Sequence, residues 1–269
     1  MTILDKIIEY KRVEIEKAKK SVSLDELMRS PHFDKPVPSL SEFLLNSEKS
    51  GIIAEHKRRS PSKGVINDTL KVEDVVSGYE KAGASAVSVL TDKEFFGGDT
   101  DDLLRAKEVL SIPILRKDFI IDQFQIYEAK AIGASAILLI AAVLSPEEAQ
   151  RLGKLANDLG MEVLMEFHDE SELDRMNGYV NAAGINNRDL KTFKVDLQKS
   201  VELAEKLPAG IPKIAESGIS SPDDVKFLRS KGFSGFLIGE NFMKTNDPGK
   251  ACEEFVKIMT NTEARRHRG

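Results

Sequence analysis

GASAVSVL at Gly83–Leu90 returns 50 residues later as GASAILLI at Gly133–Ile140. A third glycine turn, KGFSG at Lys231–Gly235, places Gly232 another 99 residues along the chain. Each glycine separates a helical pattern from an apolar run, at a point where the end of a helix needs a residue that tolerates positive φ. We interpret the shift of 50 residues as two helix–strand units and the shift of 99 as four.

Eight short apolar runs lie around these copies, and amphipathic stretches with helical spacing separate them. Runs that are apolar on both faces and alternate with helices are typical of a parallel sheet. Eight units, with repeats four units apart, predict a (β/α)8 TIM barrel of the α/β class, and a doubly wound open sheet is the alternative. The runs are Ile52–Lys57, Ala86–Leu90, Pro113–Lys117, Ala136–Ile140, Glu162–Phe167, Ala182–Asn186, Pro212–Glu216 and Gly235–Gly239.

Residues 1–48 precede the first run and predict an extra N-terminal helical segment. The apolar residues on one broad stripe are Ile3, Ile7, Ile8, Val13 and Ile15. We expect this segment to pack on the barrel, with a contact between two copies of the chain as the alternative. The 269 residues are then a single domain, with the barrel at 49–260 and a basic tail at 261–269 that we expect to be frayed.

The composition argues against several classes of protein. Hydrophobic residues at 41% and charged residues at 31% are typical of a globular chain, and the net charge of −5 argues against general nucleic-acid binding. Cys252 is the only cysteine, which rules out an intrachain disulfide or a cysteine metal cluster. No apolar run approaches the ~18 residues of a membrane span. We therefore predict a cytoplasmic monomer or weak homodimer without a nucleic-acid, membrane or metal partner.

Polar residues end five of the apolar runs, on the face that alternation turns inward. The active site of a (β/α)8 barrel lies at the carboxyl ends of its strands, so these side chains should meet in one cavity. One charged residue at a strand end is more often a solvated rim residue, but opposite charges in register indicate acid–base chemistry. We expect burial to lower the pKa values of the lysines. The residues are Glu55, Lys57, Lys117, Glu166, Asn186 and Glu216.

Glycine turns follow the seventh and eighth runs, where barrels of this kind usually bind phosphate through backbone N–H groups. Ser217-Gly218 follows the seventh run and Gly239-Glu240 follows the eighth. The loop at residues 58–67 after the first run is polar, and Ser60 within it offers a hydroxyl group. We predict a phosphate site at these turns and a loop that closes over the bound ligand.

Around these residues the sequence resembles the indole-3-glycerol phosphate synthase family. The resemblance covers nearly the whole chain, including the extra N-terminal helix, and its motifs are long and stand in order. It implies a (β/α)8 barrel that converts 1-(2-carboxyphenylamino)-1-deoxyribulose 5-phosphate to indole-3-glycerol phosphate, carbon dioxide and water, without cofactor or metal. The motifs are Ile53–Gly64 (IAEHKRRSPSKG), Leu90–Asp92, Phe95–Gly98, Leu115–Asp122, Gly184–Leu190 (GINNRDL), Ala215–Ile219 and Leu237–Glu240.

The same resemblance implies roles for the charged candidates. Lys117 would be the general acid that polarises or protonates the substrate ketone during ring closure. Lys57 would bind the anthranilate carboxylate, and a further role as an acid is left open. Glu166 and Glu55 would be the acid–base and cation-stabilising groups of the later dehydration. The resemblance leaves open how the acid and base roles divide among these four.

The remaining candidates are implied to bind and orient the substrate. Asn186 and Glu216 would orient the sugar hydroxyls and the lysines. The phosphate-binding residues would be Ser60, Ser217, Gly218, Gly239 and the backbone of Glu240. The apolar wall around the anthranilate ring would comprise Phe96, Phe119, Leu138 and Leu190.

Three positions need separate interpretation. His56 stands where the family would have a small aliphatic residue, and alternation turns it into the layer between strand and helix, so we predict a packed neutral histidine. The segment Arg175–Ala183 is about one residue shorter than the stretch that joins the fifth helix to the sixth strand in the family. It has Asn-Gly-Tyr at residues 177–179 where the family would have a continuous helix. His168 follows Glu166 by two residues and is assigned no role.

Three rival functions are compatible with the same fold. A sugar isomerase of the same pathway would need a Cys/Asp acid–base pair, but Cys252 lies in the terminal helical stretch Lys250–Met259. A Schiff-base aldolase would use Lys117 or Lys57 to form an imine. A non-enzymatic binding module would be expected to have lost the charges at the strand ends, and they are all present.

Overall fold

A closed barrel of eight parallel strands forms the centre of the molecule, in a computed structural model that describes residues 2–188 and 194–266. The strands pair in chain order, and β1 closes the barrel between β8 and β2, with Ile53 opposite both Leu237 and Ala86. This confirms the predicted (β/α)8 barrel and excludes the open sheet. The strands are β1 (Ile52–His56), β2 (Ala86–Leu90), β3 (Ile114–Lys117), β4 (Ala136–Ile140), β5 (Glu162–Phe167), β6 (Ala182–Asn186), β7 (Lys213–Glu216) and β8 (Gly235–Ile238).

Helices surround the barrel and connect its strands. The connection from β5 to β6 is the exception, because it holds a 3₁₀ helix at Glu170–Arg175, next to the segment that lacks a continuous helical pattern. In the described part of the chain, no helix is long and apolar enough to cross a membrane. The α-helices are α1 (Ile3–Ser21), α2 (Leu24–Met28), α3 (Leu40–Leu45), α4 (Val72–Lys81), α5 (Lys93–Phe96), α6 (Thr100–Val109), α7 (Gln123–Ala131), α8 (Pro146–Asp158), α9 (Leu197–Glu205), α10 (Pro222–Ser230), α11 (Glu240–Met243) and α12 (Pro248–Arg266).

The repeated GASA segments share a structural role. The three turn glycines have φ between 85° and 90°, in the left-handed region that favours glycine. The serine of each GASA copy then bonds to the start of the preceding strand. Ser85 Oγ accepts a hydrogen bond from the Gly51 N–H at 2.8 Å, and Ser135 Oγ accepts one from the Ile114 N–H at 3.1 Å. The serine of each repeat therefore joins its helix–strand unit to the strand of the preceding unit.

The N-terminal segment packs on the barrel, as expected. In α1, Ile7 and Ile15 are buried, whereas Val13, expected on the same stripe, is 54% exposed. In α3, Leu40 and Leu44 join the cluster of apolar side chains that fills the barrel. Glu162 at the start of β5 accepts the Ser41 N–H at 2.7 Å, so α3 covers the end of the barrel at which the strands begin. The carboxyl ends of the strands lie at the opposite end of the barrel, which α3 does not cover.

His56 is buried at the end of β1, and only 1% of the residue is exposed. Burial, with a smaller contribution from the nearby Arg58 guanidinium, lowers the pKa of His56 to about 4. The imidazole is therefore neutral at pH 7, which agrees with the expectation of a packed neutral histidine.

We expect His56→Val to weaken the dependence of stability on acid pH. The unfolded chain takes up a proton at His56 near pH 6.5, whereas the folded chain does so only near pH 4, so the parent loses stability as the pH falls between these values. The full shift corresponds to about 3 kcal/mol. Thermal midpoints at pH 7.5 and pH 5 would show a smaller acid-induced fall for the variant, and equal falls would contradict this account.

Candidate active site

A cavity of about 550 Å³ opens at the carboxyl ends of the strands. Every predicted site residue within the described part of the chain lines it, whereas Leu190 lies outside the described residues. The strand-end charges and the two glycine turns therefore meet in one space. The predicted residues in its wall are Glu55, Lys57, Ser60, Phe96, Lys117, Phe119, Leu138, Glu166, Asn186, Glu216, Ser217, Gly218, Gly239 and Glu240.

Lys117 lies at the centre of the charged cluster. Its Nζ is 2.9 Å from Glu166 Oε2 and 2.6 Å from Glu216 Oε2. Burial alone would lower the pKa of Lys117, but the two carboxylates outweigh burial and raise it above its ordinary value. The expectation of a lowered lysine pKa was therefore wrong for Lys117, because strands β5 and β7 each bring a carboxylate to the same ammonium group.

Glu216 contacts Lys117 and occupies a notch at Gly184, where a side chain is absent. Burial, opposed by Lys117 and reinforced by the charge of Glu166, raises the pKa of Glu216 above its ordinary value. Its Oε1 is buried without a hydrogen-bond partner. A Cβ atom at Gly184 of β6 would lie 2.1 Å from this oxygen, so the absence of a side chain there makes room for the carboxylate.

We expect Gly184→Ala to lower kcat substantially while leaving the fold intact. The added methyl group overlaps Glu216 Oε1, and the carboxylate must move away from Lys117. A displacement of about 1 Å in a catalytic group costs up to ~10²-fold in rate. Steady-state kinetics and thermal melting would measure the two effects. Gly178→Ala is the matched control, since a Cβ there meets nothing within 4 Å, and a kcat for Gly184→Ala equal to that of this control would contradict the notch.

Glu55 and Lys57 form a second ion pair on β1 and at its end. Lys57 Nζ donates to Glu55 Oε1 at 2.6 Å, and Ser88 Oγ of β2 donates to Glu55 Oε2 at 3.4 Å. Gly239 leaves space for this pair as well, because a Cβ at residue 239 would lie 2.7 Å from Glu55 Oε1. The glycine turn after β8 therefore shapes the charged cluster in addition to lining the cavity.

The turn after β7 has an unusual backbone. Ser217 adopts φ of 67°, the only left-handed conformation at a non-glycine residue of the described chain, and Gly218 follows at 70°. The side-chain amide of Asn187 donates to the Ser217 carbonyl at 2.7 Å and fixes this turn. A serine held in this region costs about 1–3 kcal/mol, and such residues concentrate at functional sites.

The apolar wall is built by three neighbouring strands, β2, β3 and β4, and the segments that follow them. The rings of Phe96 and Phe119 lie 6.0 Å apart between centroids. Asp92 caps α5, the helix that carries Phe96, by accepting the Phe95 N–H at 2.8 Å. Leu138 of β4 adds a buried side chain to the same cavity.

The sequence reasoning missed the contribution of α1. Ile3 and Ile7 line the cavity, and the fully buried Lys11 pairs with Asp92 at 3.0 Å and with Asp118 at 2.9 Å. The signal was present in the sequence, because Lys11 stands four residues after Ile7 and so lies on the apolar face of the helix. A charge on that face indicates a buried partner.

Within residues 2–188 and 194–266, no group of three or more histidine, cysteine, aspartate or glutamate side chains is arranged to hold a metal ion. The prediction that no cofactor is used remains a prediction.

Comparisons with known proteins agree on one family. The family model described as "Indole-3-glycerol phosphate synthase" matches residues 4–255. The indole-3-glycerol phosphate synthase of Bacteroides thetaiotaomicron is 48% identical over 257 residues, which covers 96% of this chain and 98% of the relative. That of Bordetella pertussis is 43% identical over 258 residues, or 94% of this chain and 98% of the relative.

Two solved structures with a similar fold have little sequence in common with this chain. The thiamine phosphate pyrophosphorylase of Pyrococcus furiosus is 17% identical with a TM-score of 0.58, covering 80% of this chain and 98% of that one. A mutant tryptophan synthase α-subunit from the same organism is 13% identical with a TM-score of 0.59, covering 79% and 98%. These likenesses support the barrel fold alone.

Proposed function

The chain belongs to the indole-3-glycerol phosphate synthase family, and from that premise we propose that the cavity at the carboxyl ends of the strands performs the family reaction. The enzyme is a lyase of tryptophan biosynthesis that forms indole-3-glycerol phosphate from 1-(2-carboxyphenylamino)-1-deoxyribulose 5-phosphate. One observation carries the assignment of the site. The Lys117 ammonium lies within 2.9 Å of both Glu166 and Glu216, in a cavity that also has an apolar wall.

Ring closure needs an acid at the ketone oxygen. The ring carbon that bears the carboxylate attacks the ketone carbon, and the carbonyl oxygen gains negative charge. We assign the proton to Lys117, because its two carboxylate neighbours raise its pKa and keep it an ammonium group at neutral pH. Glu216 accepts a hydrogen bond from Lys117, and the Asn186 amide donates one to Glu166. A charged donor aimed at a developing alkoxide is a large source of catalysis.

Decarboxylation follows ring closure. The bond between the ring and the carboxylate breaks, carbon dioxide leaves, and the electron pair restores the aromatic ring. We assign the orientation of this carboxylate to Lys57. Its Nζ shares its charge with Glu55 at 2.6 Å, so the substrate carboxylate is oriented without being stabilised so strongly that its loss is opposed.

Dehydration then completes the indole ring. An acid protonates the hydroxyl group that leaves as water, and a base removes a proton from the adjacent carbon. Two ion pairs in the cavity each combine an ammonium with a carboxylate, Lys57 with Glu55 and Lys117 with Glu166. We assign the dehydration to these pairs, because either supplies an acid and a base in direct contact.

We assign the two ends of the substrate to different parts of the cavity. The phosphate would bind the turns Ser217-Gly218 and Gly239-Glu240, with Ser60 from the loop after β1, because all of them line the same cavity. The anthranilate ring would lie against Phe96, Phe119 and Leu138. This assignment orients the ketone toward Lys117.

The reaction itself is the test of the proposed site and its chemistry. The purified chain would be supplied with the carboxyphenylamino-deoxyribulose phosphate, and indole fluorescence and released carbon dioxide would be followed together. We expect equal amounts of the two products. Borohydride added during turnover tests the aldolase alternative, since it would reduce an imine to a stable adduct, and we expect no gain in protein mass. An imine adduct without indole product would overturn the proposal.

We also propose that the protein acts in the cytoplasm as a monomer or weak homodimer, with a small phosphorylated sugar–anthranilate as its ligand and no nucleic-acid or membrane partner. The net charge of −5 and the single buried cysteine support this proposal.

A further inference from the structure

His168 lies two residues beyond Glu166 and lines the same cavity. Its Nε2 is 3.0 Å from Glu166 Oε1, and 10% of its side chain is exposed. The contact is close enough for an ion pair but is not aligned as a hydrogen bond. Burial would raise the pKa of Glu166, but Lys117 and His168 outweigh burial and hold this pKa well below its ordinary value.

Glu172 fixes the other side of the imidazole. The 3₁₀ helix after β5 turns the chain back, so that Glu172 Oε2 accepts the His168 backbone N–H at 2.7 Å and lies 3.8 Å from Nδ1. Burial alone would lower the pKa of His168, but the two carboxylates outweigh burial and raise it to about 10. The ring carries a positive charge at neutral pH as a result.

The neighbouring strands bring further groups toward the Glu166–His168 pair. Lys117 of β3 contacts Glu166 Oε2, and Asn186 of β6 donates to Glu166 Oε1 at 2.9 Å. Arg188, which follows β6, lines the same cavity. Each oxygen of Glu166 therefore has a cation beside it, Lys117 on one and His168 on the other.

We propose that His168 is a positioning residue that acts through Glu166: as an imidazolium clamped by Glu172, it keeps the Glu166 carboxylate ionised while Lys117 gives up its proton. The proposal rests on the proposed function, in which Lys117 protonates the ketone oxygen. Once Lys117 has lost its proton, it is neutral and no longer stabilises the Glu166 carboxylate by its charge. The His168 imidazolium beside Glu166 Oε1 is then the cation that remains. Without it, Glu166 would compete with Lys117 for the next proton.

Variants of His168 and of Glu172 test the proposal. His168→Gln removes the charge beside Glu166, and Glu172→Gln removes the anchor of that charge. His32→Gln is the matched control, because His32 is another buried histidine that contacts a glutamate, with Nε2 3.3 Å from Glu108 Oε1, and it does not line the cavity. The readouts are kcat and KM between pH 5 and pH 9, and ¹⁵N resonances of the imidazole rings.

We expect the acid limb of the kcat profile to move to higher pH in His168→Gln, with kcat at pH 6 about tenfold lower and KM within a few-fold of the parent. Glu172→Gln should move the limb in the same direction but less, and His32→Gln should leave it unchanged. In the parent at pH 8, both ring nitrogens of His168 should be protonated, whether or not the enzyme turns over.

The outcomes separate two failures. A parent without indole product would reject the proposed function, whereas an active parent with a neutral His168 ring at pH 8 would overturn only the role of His168. An acid limb in His168→Gln identical to that of His32→Gln would overturn it as well.

Discussion

Lys117→Ala is expected to lower kcat by about 10²–10⁴-fold, because a positioned acid contributes that much to a rate. The substitution removes the ammonium that lies within 2.9 Å of Glu166 and Glu216. KM should change far less, since the two glycine turns and the apolar wall that we propose to bind the substrate remain. Steady-state kinetics with fluorescence detection of the indole product would measure both constants.

The control for this substitution is a second strand lysine. Lys213 starts β7 at the opposite end of the barrel and donates to the Ala204 carbonyl at 2.6 Å. Lys213→Ala should leave kcat near the parent value. Circular dichroism would establish that each variant is folded, because removal of one member of a buried ion pair is often destabilising. Turnover of a folded Lys117→Ala within a few-fold of the parent would reject the assignment of Lys117.

Gly239→Asp is expected to raise KM by ~10²-fold or more. The new carboxylate would face the phosphate that we propose to bind at the turn after β8. Contacts between like charges cost several kcal/mol, and each tenfold change in affinity corresponds to about 1.4 kcal/mol. The Cβ atom would also approach within 2.7 Å of Glu55 Oε1, so we expect kcat to fall as well. Competition by inorganic phosphate should weaken in parallel with the rise in KM.

Two further variants separate the effects of charge and of volume at residue 239. Gly239→Ala keeps the contact with Glu55 but adds no charge, so it should lower kcat with a smaller change in KM. Gly178→Asp adds the same charge at a position where a Cβ meets nothing within 4 Å, and it should change neither constant. A KM for Gly239→Asp equal to that of the parent would mean that the phosphate binds elsewhere.

The barrel was predictable because local patterns repeat along the chain. The glycine turns, the apolar runs and the serine that joins each GASA unit to the strand before it are all visible within a few residues. Alternation along a strand also gives the inward face, so Glu55, Lys117 and Glu216 were found from their positions at the strand ends together with this alternation. All three contribute to the cavity wall.

The electrostatics of the site were not predictable in the same way. The pKa of Lys117 depends on carboxylates from Glu166 and Glu216, which are 49 and 99 residues away in sequence. Burial and charge act in opposite directions there, and distances decide which prevails. The proposed role of His168 depends in the same way on the 3₁₀ turn that returns Glu172 to it, because a pattern search sees only an irregular connection.

The left-handed backbone conformation of Ser217 lowers the stability of the folded chain, and a glycine at this position would avoid that loss. Glycine adopts a φ of 67° without strain, so directed evolution for heat resistance alone would favour Ser217→Gly. Selection for growth without added tryptophan would favour serine if its hydroxyl contacts the substrate. The two selections would then separate at this one codon, which makes residue 217 a sensitive reporter of whether an engineered barrel of this kind has been kept for its fold or for its chemistry.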